Sequence, residues 1–266
     1  MRFGFCTNFA TNFSPEINYQ MLEDVKAAGY DYVELPVMQI ASIDDAEFNK
    51  LKSTLQRLHL DCDAACNLFP KHIRLTGSNA DRECIQTYFS AAMDRCQQLG
   101  IKKFIFGSAP ARNLDGNTSE EEGYAQIVSL CLEVLLPVME ERDMKILIEP
   151  IGTDSANFVN TLSDGMRIVN QVSHPQITLL ADTKHMVHNG ESPAEIHRYA
   201  SHIDHIHIAE VDQSLPLYSY SCELSRILET VRKTGYDKTM SFETSPYDNA
   251  TDIKEALSQL KRRMGL

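Results

Sequence analysis

Four short apolar runs in the second half of this 266-residue chain each end on a side chain that can bind a metal or carry a proton. Ile146-Leu147-Ile148 stops at Glu149, and Ile177-Thr178-Leu179-Leu180-Ala181 stops at Asp182. His205-Ile206 reaches His207, and Met240-Ser241-Phe242 reaches Glu243. A carboxylate at the tip of a buried strand is costly unless a partner neutralises it. Three oxygens and one nitrogen form a hard ligand set. It suits one divalent ion, Mn2+ first, with Mg2+, Co2+ or Zn2+ as alternatives. The expected centre is therefore one metal ion held by Glu149, Asp182, His207 and Glu243.

Positioning four such groups needs strands that run side by side and end at one rim. Strand-like and helix-like runs alternate along the chain. Strands are expected at Arg2 to Cys6, Tyr32 to Leu35, Leu60 to Cys66 and Lys103 to Gly107, then at the four runs above. The first helix is expected to open at Ser14-Pro15-Glu16, with Ser as cap and Pro at the first position, and to stop at Gly29. Others are expected near Asp44 to Leu58, Asn79 to Leu99, and from the capping box Ser119-Glu120-Glu121-Glu122 to about Arg142. Thr161, Ser192-Pro193, Leu224 and Asp252 mark four more.

Eight strand candidates, each followed by a helix, imply parallel strands and a single (β/α)8 TIM barrel over residues 1–266. An open doubly wound sheet would announce itself with a Gly-rich first turn, whereas Thr7-Asn8-Phe9-Ala10 has no glycine and reads as a loop. In such a barrel the chemistry lies at the C-terminal strand ends, here Cys6, Glu34, Cys66, Gly107, Glu149, Asp182, His207 and Glu243. His205 and His207 share one face of their strand; His207 is the one near the rim, and His205 is expected to be a hydrogen-bonded core residue.

The bulk numbers narrow the function. A formal net charge of -12 argues against a nucleic-acid surface, and Lys261-Arg262-Arg263 sits among acids as a solvated helix face. No unbroken apolar run reaches the roughly 18 residues of a membrane span. The N-terminus reads as a first strand, too short and polar for a signal peptide. Seven cysteines without a paired CxxC pattern fit reduced thiols in the cytoplasm. The expected partner is a small molecule, with no nucleic acid and no membrane; oligomeric state is not set by the sequence, a homo-oligomer being one option.

The motifs Glu149-Pro150, Asp182-Thr183-Lys184-His185-Met186, His205-Ile206-His207-Ile208-Ala209-Glu210 and Phe242-Glu243-Thr244 resemble those of the xylose isomerase-like barrels. The branch they resemble is the sugar (sugar-phosphate) isomerases and epimerases, including ketose 3-epimerases and hydroxypyruvate isomerase-like proteins. The resemblance implies a metal-dependent isomerase or epimerase working through an enediolate, with Glu149 and Glu243 as the proton-moving pair. It further implies a substrate shell containing His185, Cys66 and Gln213. Two positions depart from the ketose 3-epimerases. Gln213 stands where they carry arginine, and Ser155 where they carry glutamate, so a glycoside or an oxidised sugar competes with a free ketohexose. Ser214 to Ser221, with Tyr218 and Tyr220, suits hydroxyl groups or a ring.

Two alternatives share the fold. An endonuclease IV-like nuclease would need histidines where Cys66 and Gly107-Ser108 stand. A non-catalytic metal-bound sugar-binding barrel would have no use for both Glu149 and Glu243 as an acid-base pair.

Overall fold

A computed structural model describes residues 1–266. Eight parallel strands close on themselves in sequence order: β1 (Arg2–Cys6), β2 (Tyr32–Pro36), β3 (Asp61–Cys66), β4 (Lys103–Phe106), β5 (Lys145–Ile148), β6 (Ile177–Asp182), β7 (Ile203–Ile208) and β8 (Thr239–Phe242). After β1 and β2 come helices Tyr19–Ala28 and Asp45–Leu58, then Arg82–Gln98 after β3. Leu162–Val172, Ala194–Tyr199, Cys222–Lys233 and Ala250–Met264 follow β5 to β8. This is the (β/α)8 barrel that the alternation implied.

Several helix starts differ from the sequence reading, each for a local reason. The first helix begins at Tyr19, where the Asn18 side chain accepts from the Met21 N–H at 3.0 Å, while Ser14 only accepts from Glu16 in a turn. The third begins at Arg82 because Asp81 takes both the Glu83 and Cys84 N–H groups. Thr7–Ala10 is a short helix rather than a loop. Glu120–Leu130 opens on the expected Ser119 capping box and ends on a π-helical turn, Cys131–Leu135, before Leu136–Arg142. Pro137 has no N–H to return to the preceding turn, which favours this break in the ladder. By length and composition Glu120–Arg142 would suffice to cross a membrane, but its face bearing Ile127, Leu130, Cys131, Leu135 and Met139 is buried in the protein.

The larger core, 70 buried residues, lies mainly between strands and helices. A second cluster, Cys6, Tyr32, Ala64, Cys66, Ile105, Leu147 and Leu180, fills the barrel interior. Alternation along each strand produces this split, since every second side chain turns inward. Gly4 is one such inward position. A Cβ there would lie 2.1 Å from the Tyr32 ring, so only glycine leaves room for this interior aromatic. At the N-terminal ends of the strands, Asp204 is bracketed by Lys145 at 2.7 Å and Lys238 at 2.5 Å. Lys103 Nζ donates to the Asp204 carbonyl at 2.9 Å and to Thr239 Oγ1 at 2.7 Å.

Candidate metal centre

The same inward alternation carries the site residues. In register, Asp182 pairs with His207 and His207 with Ser241, so β6, β7 and β8 present their ends at one level. Glu149 and Glu243 follow β5 and β8 directly. The carboxylates of Glu149, Asp182 and Glu243 and the His207 ring all offer ligand atoms within 4.8 Å of one another. All four side chains are buried. His207 Nδ1 stands 3.1 Å from Glu149 Oε1, 3.4 Å from Glu243 Oε2 and 3.6 Å from Asp182 Oδ2.

Charge follows from this crowding. Burial, with the neighbouring acids adding to it, raises Glu149 and Glu243 above the ordinary carboxylate range, against the pull of His207. Burial also pushes Asp182 upward, but His185 and His207 outweigh it and hold that carboxyl at about 2. Burial opposes the charge on His207, yet Glu243 and Glu34 ahead of the others lift it well above the usual imidazole range. Asp182 Oδ2 is buried and makes no hydrogen bond. A buried carboxylate oxygen without a donor, beside two more acids and one imidazole nitrogen, fits a divalent cation by donor type and spacing.

Two neighbours make room for Glu149 and hold it: Gly107, noted in the sequence only as a strand end, and Arg112, which sequence reasoning passed over. A Cβ on Gly107 would sit 2.1 Å from Glu149 Oε2, so this strand-end glycine is required by the carboxylate next to it. Arg112, only 1% exposed, donates to the carbonyls of Phe106 at 2.6 Å and Glu149 at 2.7 Å. It ties β4 to the end of β5. Burial lowers its guanidinium to about 10. Nothing in residue spacing marked Arg112, because its partners are main-chain carbonyls, those of Glu149 and Val159 lying 37 and 47 residues away.

The three residues expected around the substrate fall in different settings. His185 lies in the short helix Thr183–His188; its N–H donates to Asp182 Oδ1 at 2.9 Å, and its buried Nδ1 has no partner. Cys66 Sγ is 3.5 Å from Cys6 Sγ, and Cys6 in turn reaches Glu243 Oε1 at 3.7 Å. Gln213 adopts left-handed backbone (φ 67) and donates its side-chain amide N–H to the Glu243 carbonyl, so that amide serves the end of β8. Ser155 is exposed and bonds Asp154. In the segment after β7, Tyr218 is 75% exposed, whereas the Tyr220 hydroxyl is buried and its ring lies under the Arg263 guanidinium. Phe69 and Phe106 are core residues, while Phe13 is exposed.

Glu34, noted in the sequence only as a strand-end acid, sits within β2 and is completely buried. Its carboxylate bridges His205 and His207. His205 is the hydrogen-bonded core histidine expected.

Comparison with known proteins places these features in context. The family described as xylose isomerase-like TIM barrel matches residues 22–263. A probable ketose 3-epimerase of Synechocystis sp. is 26% identical over 203 residues, covering 74% of this chain and 68% of the relative. Among solved structures, the D-allulose 3-epimerase of Methylomonas sp. in complex with D-allulose superposes with TM-score 0.85 at 18% identity, over 99% of this chain and 97% of that one. The 3-keto-D-glucoside 4-epimerase of E. coli gives 0.81 at 17% identity, over 98% and 99%. The IOLI protein with a bound zinc atom gives 0.76 at 20% identity, over 99% and 96%. At these identities the structural likeness speaks for the fold alone.

Proposed function

The chain belongs to the xylose isomerase-like TIM barrel family, and from that premise we propose that it is a metal-dependent epimerase of a keto-sugar or oxidised sugar. The observation that carries the reading is the convergence of Glu149, Asp182, His207 and Glu243 within 4.8 Å, with an unpartnered oxygen on Asp182. These four residues hold one divalent ion, Mn2+ in the first instance; the zinc-bound neighbour supports a divalent occupant in this fold. Such an ion supplies Lewis acidity to the negative oxygen of an enediolate.

The chain's own residues do the proton work. One of Glu149 and Glu243, ionised, takes the proton from the carbon beside the carbonyl; the C–H electron pair forms the new C–C double bond and the carbonyl π pair moves onto its oxygen. The other, protonated, then gives its proton to that carbon from the opposite side as the carbonyl re-forms, so the centre inverts, one glutamate having gained a proton and the other lost one. Burial raises the proton affinity of both above that of an ordinary glutamate, which favours taking up the substrate proton. Asp182, held ionised, anchors the centre. The free Nδ1 of His185 is available to a sugar hydroxyl; Cys66 contacts Cys6, which reaches Glu243, and Gln213 holds the Glu243 carbonyl. The named activities of the Synechocystis relative and of the two epimerase structures support a keto-sugar; Gln213 and Ser155 leave a 3-keto-glycoside on equal terms with a free ketose.

The test is a screen of ketoses, aldoses and oxidised sugars with Mn2+ in D2O, followed by NMR. Deuterium enters the carbon beside the carbonyl of the true substrate, and Glu243→Gln abolishes that entry. Exchange that survives Glu243→Gln, or sugar binding without any exchange, overturns the reading.

A further inference from the structure

The proposed chemistry leaves one buried charged group without a task. Glu34 is 0% exposed, and both its oxygens are taken by histidines: Oε1 lies 3.0 Å from His207 Nε2 and Oε2 lies 3.1 Å from His205 Nε2. The two rings stand nearly perpendicular, at 84°, with centroids 5.1 Å apart. His205 Nδ1 is 2.7 Å from Thr239 Oγ1, which itself accepts from Lys103 Nζ at 2.7 Å. A column of hydrogen bonds therefore runs along the barrel interior from Lys103 at its floor to His207 at its mouth.

A carboxylate can only accept, so each ring must present an N–H at Nε2. For His207 this leaves Nδ1 as the atom that faces Glu149, Asp182 and Glu243. A ring turned over about its Cβ–Cγ bond would bring carbon atoms to Glu34 and to the three acids. Partners of this kind fix the tautomer and orientation of a ligating imidazole. Glu34 is in turn held from two sides. His205 bonds its second oxygen, and Thr239 fixes His205 by accepting from Lys103 while donating to Nδ1.

We propose that Glu34 is the positioning residue of the metal centre, holding His207 with Nε2–H toward β2 and Nδ1 toward the three carboxylates. This rests on the reading of that cluster as a metal site. The glutamate reaches the ion through His207 and touches neither ion nor substrate, so removing it weakens the centre without removing a ligand.

The experiment compares wild type, Glu34→Gln and Glu34→Leu, each stripped of metal and titrated with Mn2+ by calorimetry. Zn2+-loaded samples are read by NMR of the histidine ring nitrogens. Glutamine offers one acceptor oxygen where glutamate offers two, so it satisfies His207 only if His205 changes tautomer. The expected result is a loss of Mn2+ affinity of about tenfold to hundredfold, larger for leucine than for glutamine. Wild type should show two slowly exchanging Nε2–H protons, from His205 and His207, and Glu34→Leu neither. Asp204→Asn serves as control. It weakens the floor, where Lys145 and Lys238 bracket the Asp204 side chain, leaves the side chains of the column in place, and should keep Mn2+ affinity within about threefold, which separates control of His207 from general loosening of the interior. Glu34 variants that bind Mn2+ as wild type does, or wild-type His207 protonated at Nδ1 in the loaded protein, overturn the proposal. Wild type that binds no Mn2+ overturns the metal reading beneath it, a result that the variants cannot mimic.

Discussion

The two ends of the barrel interior are built as opposites. At the floor three lysines gather around one aspartate, Asp204; at the mouth three carboxylates gather around one histidine, His207. The floor is satisfied: both Asp204 oxygens have a lysine, and Lys103 finds a carbonyl and a hydroxyl. The mouth is not. Two of its acids are driven above their ordinary proton affinity and the third keeps an oxygen without a donor. A satisfied network contributes to stability, while an unsatisfied one of the same size is a candidate site for opposite charge. The column Thr239–His205–Glu34–His207 joins the two ends.

The largest expected effect separates the ends by activity. Glu149→Gln and Glu243→Gln each lower turnover by about 10²–10⁴, while the unfolding midpoint of the metal-free protein stays level or rises, because one of several crowded charges is gone. Steady-state rates and thermal unfolding measured side by side check this. A midpoint that falls as it does for a floor variant would erase the distinction.

Metal binding should separate them next. Saturating the stripped protein at about 100 times the dissociation constant stabilises it by about 2.7 kcal/mol, raising the midpoint by about 5–10 °C for a chain of this size. Asp182→Asn should abolish that shift, and Asp204→Asn should keep it. Calorimetric scans with and without Mn2+ give the answer, and a shift that persists in Asp182→Asn would remove the mouth from the binding site.

At the floor the effect is smaller and purely structural. Asp204→Ala leaves two lysines without a carboxylate and costs about 1–3 kcal/mol, with turnover of the metal-loaded enzyme within about threefold of wild type. Denaturant titration and kinetics on one preparation test both halves.

The smallest effect is a difference in pH slope. Glu149 and Glu243 have raised folded values, so their contribution to the metal-free protein is full below the unfolded glutamate pKa and is lost as pH rises through the raised ones. Burial lowers Lys103 to about 8, so its contribution is full above the unfolded lysine pKa and is lost as pH falls through about 8. Glu243→Gln should therefore flatten the decline in midpoint that begins above the ordinary glutamate range, and leave the slope around pH 8 unchanged. A Glu243→Gln profile parallel to wild type would show that the mouth carries no such strain.

Much of this was legible in the chain because strands and helices write their periods directly into it. Ile146–Glu149, Ile177–Asp182, His205–His207 and Met240–Glu243 each pair an apolar run with a terminal ligand, and eight alternations close only as a barrel. Strand-end chemistry could be read because it is local, with the donor adjoining the run that positions it. Helix starts were less legible, since Asn18 and Asp81 outcompete Ser14 and Asn79 by a few residues and any short polar side chain can cap. The need for glycine at 107, the role of Arg112 and the bridging role of Glu34 were not legible. Each acts on an atom at least 37 residues away in sequence, and no periodicity records such a distance. By itself the sequence determined the elements, their order and the four groups that end at the mouth. The tertiary structure alone decided which buried charges find partners and which do not, because satisfaction depends on neighbours that only barrel closure brings together.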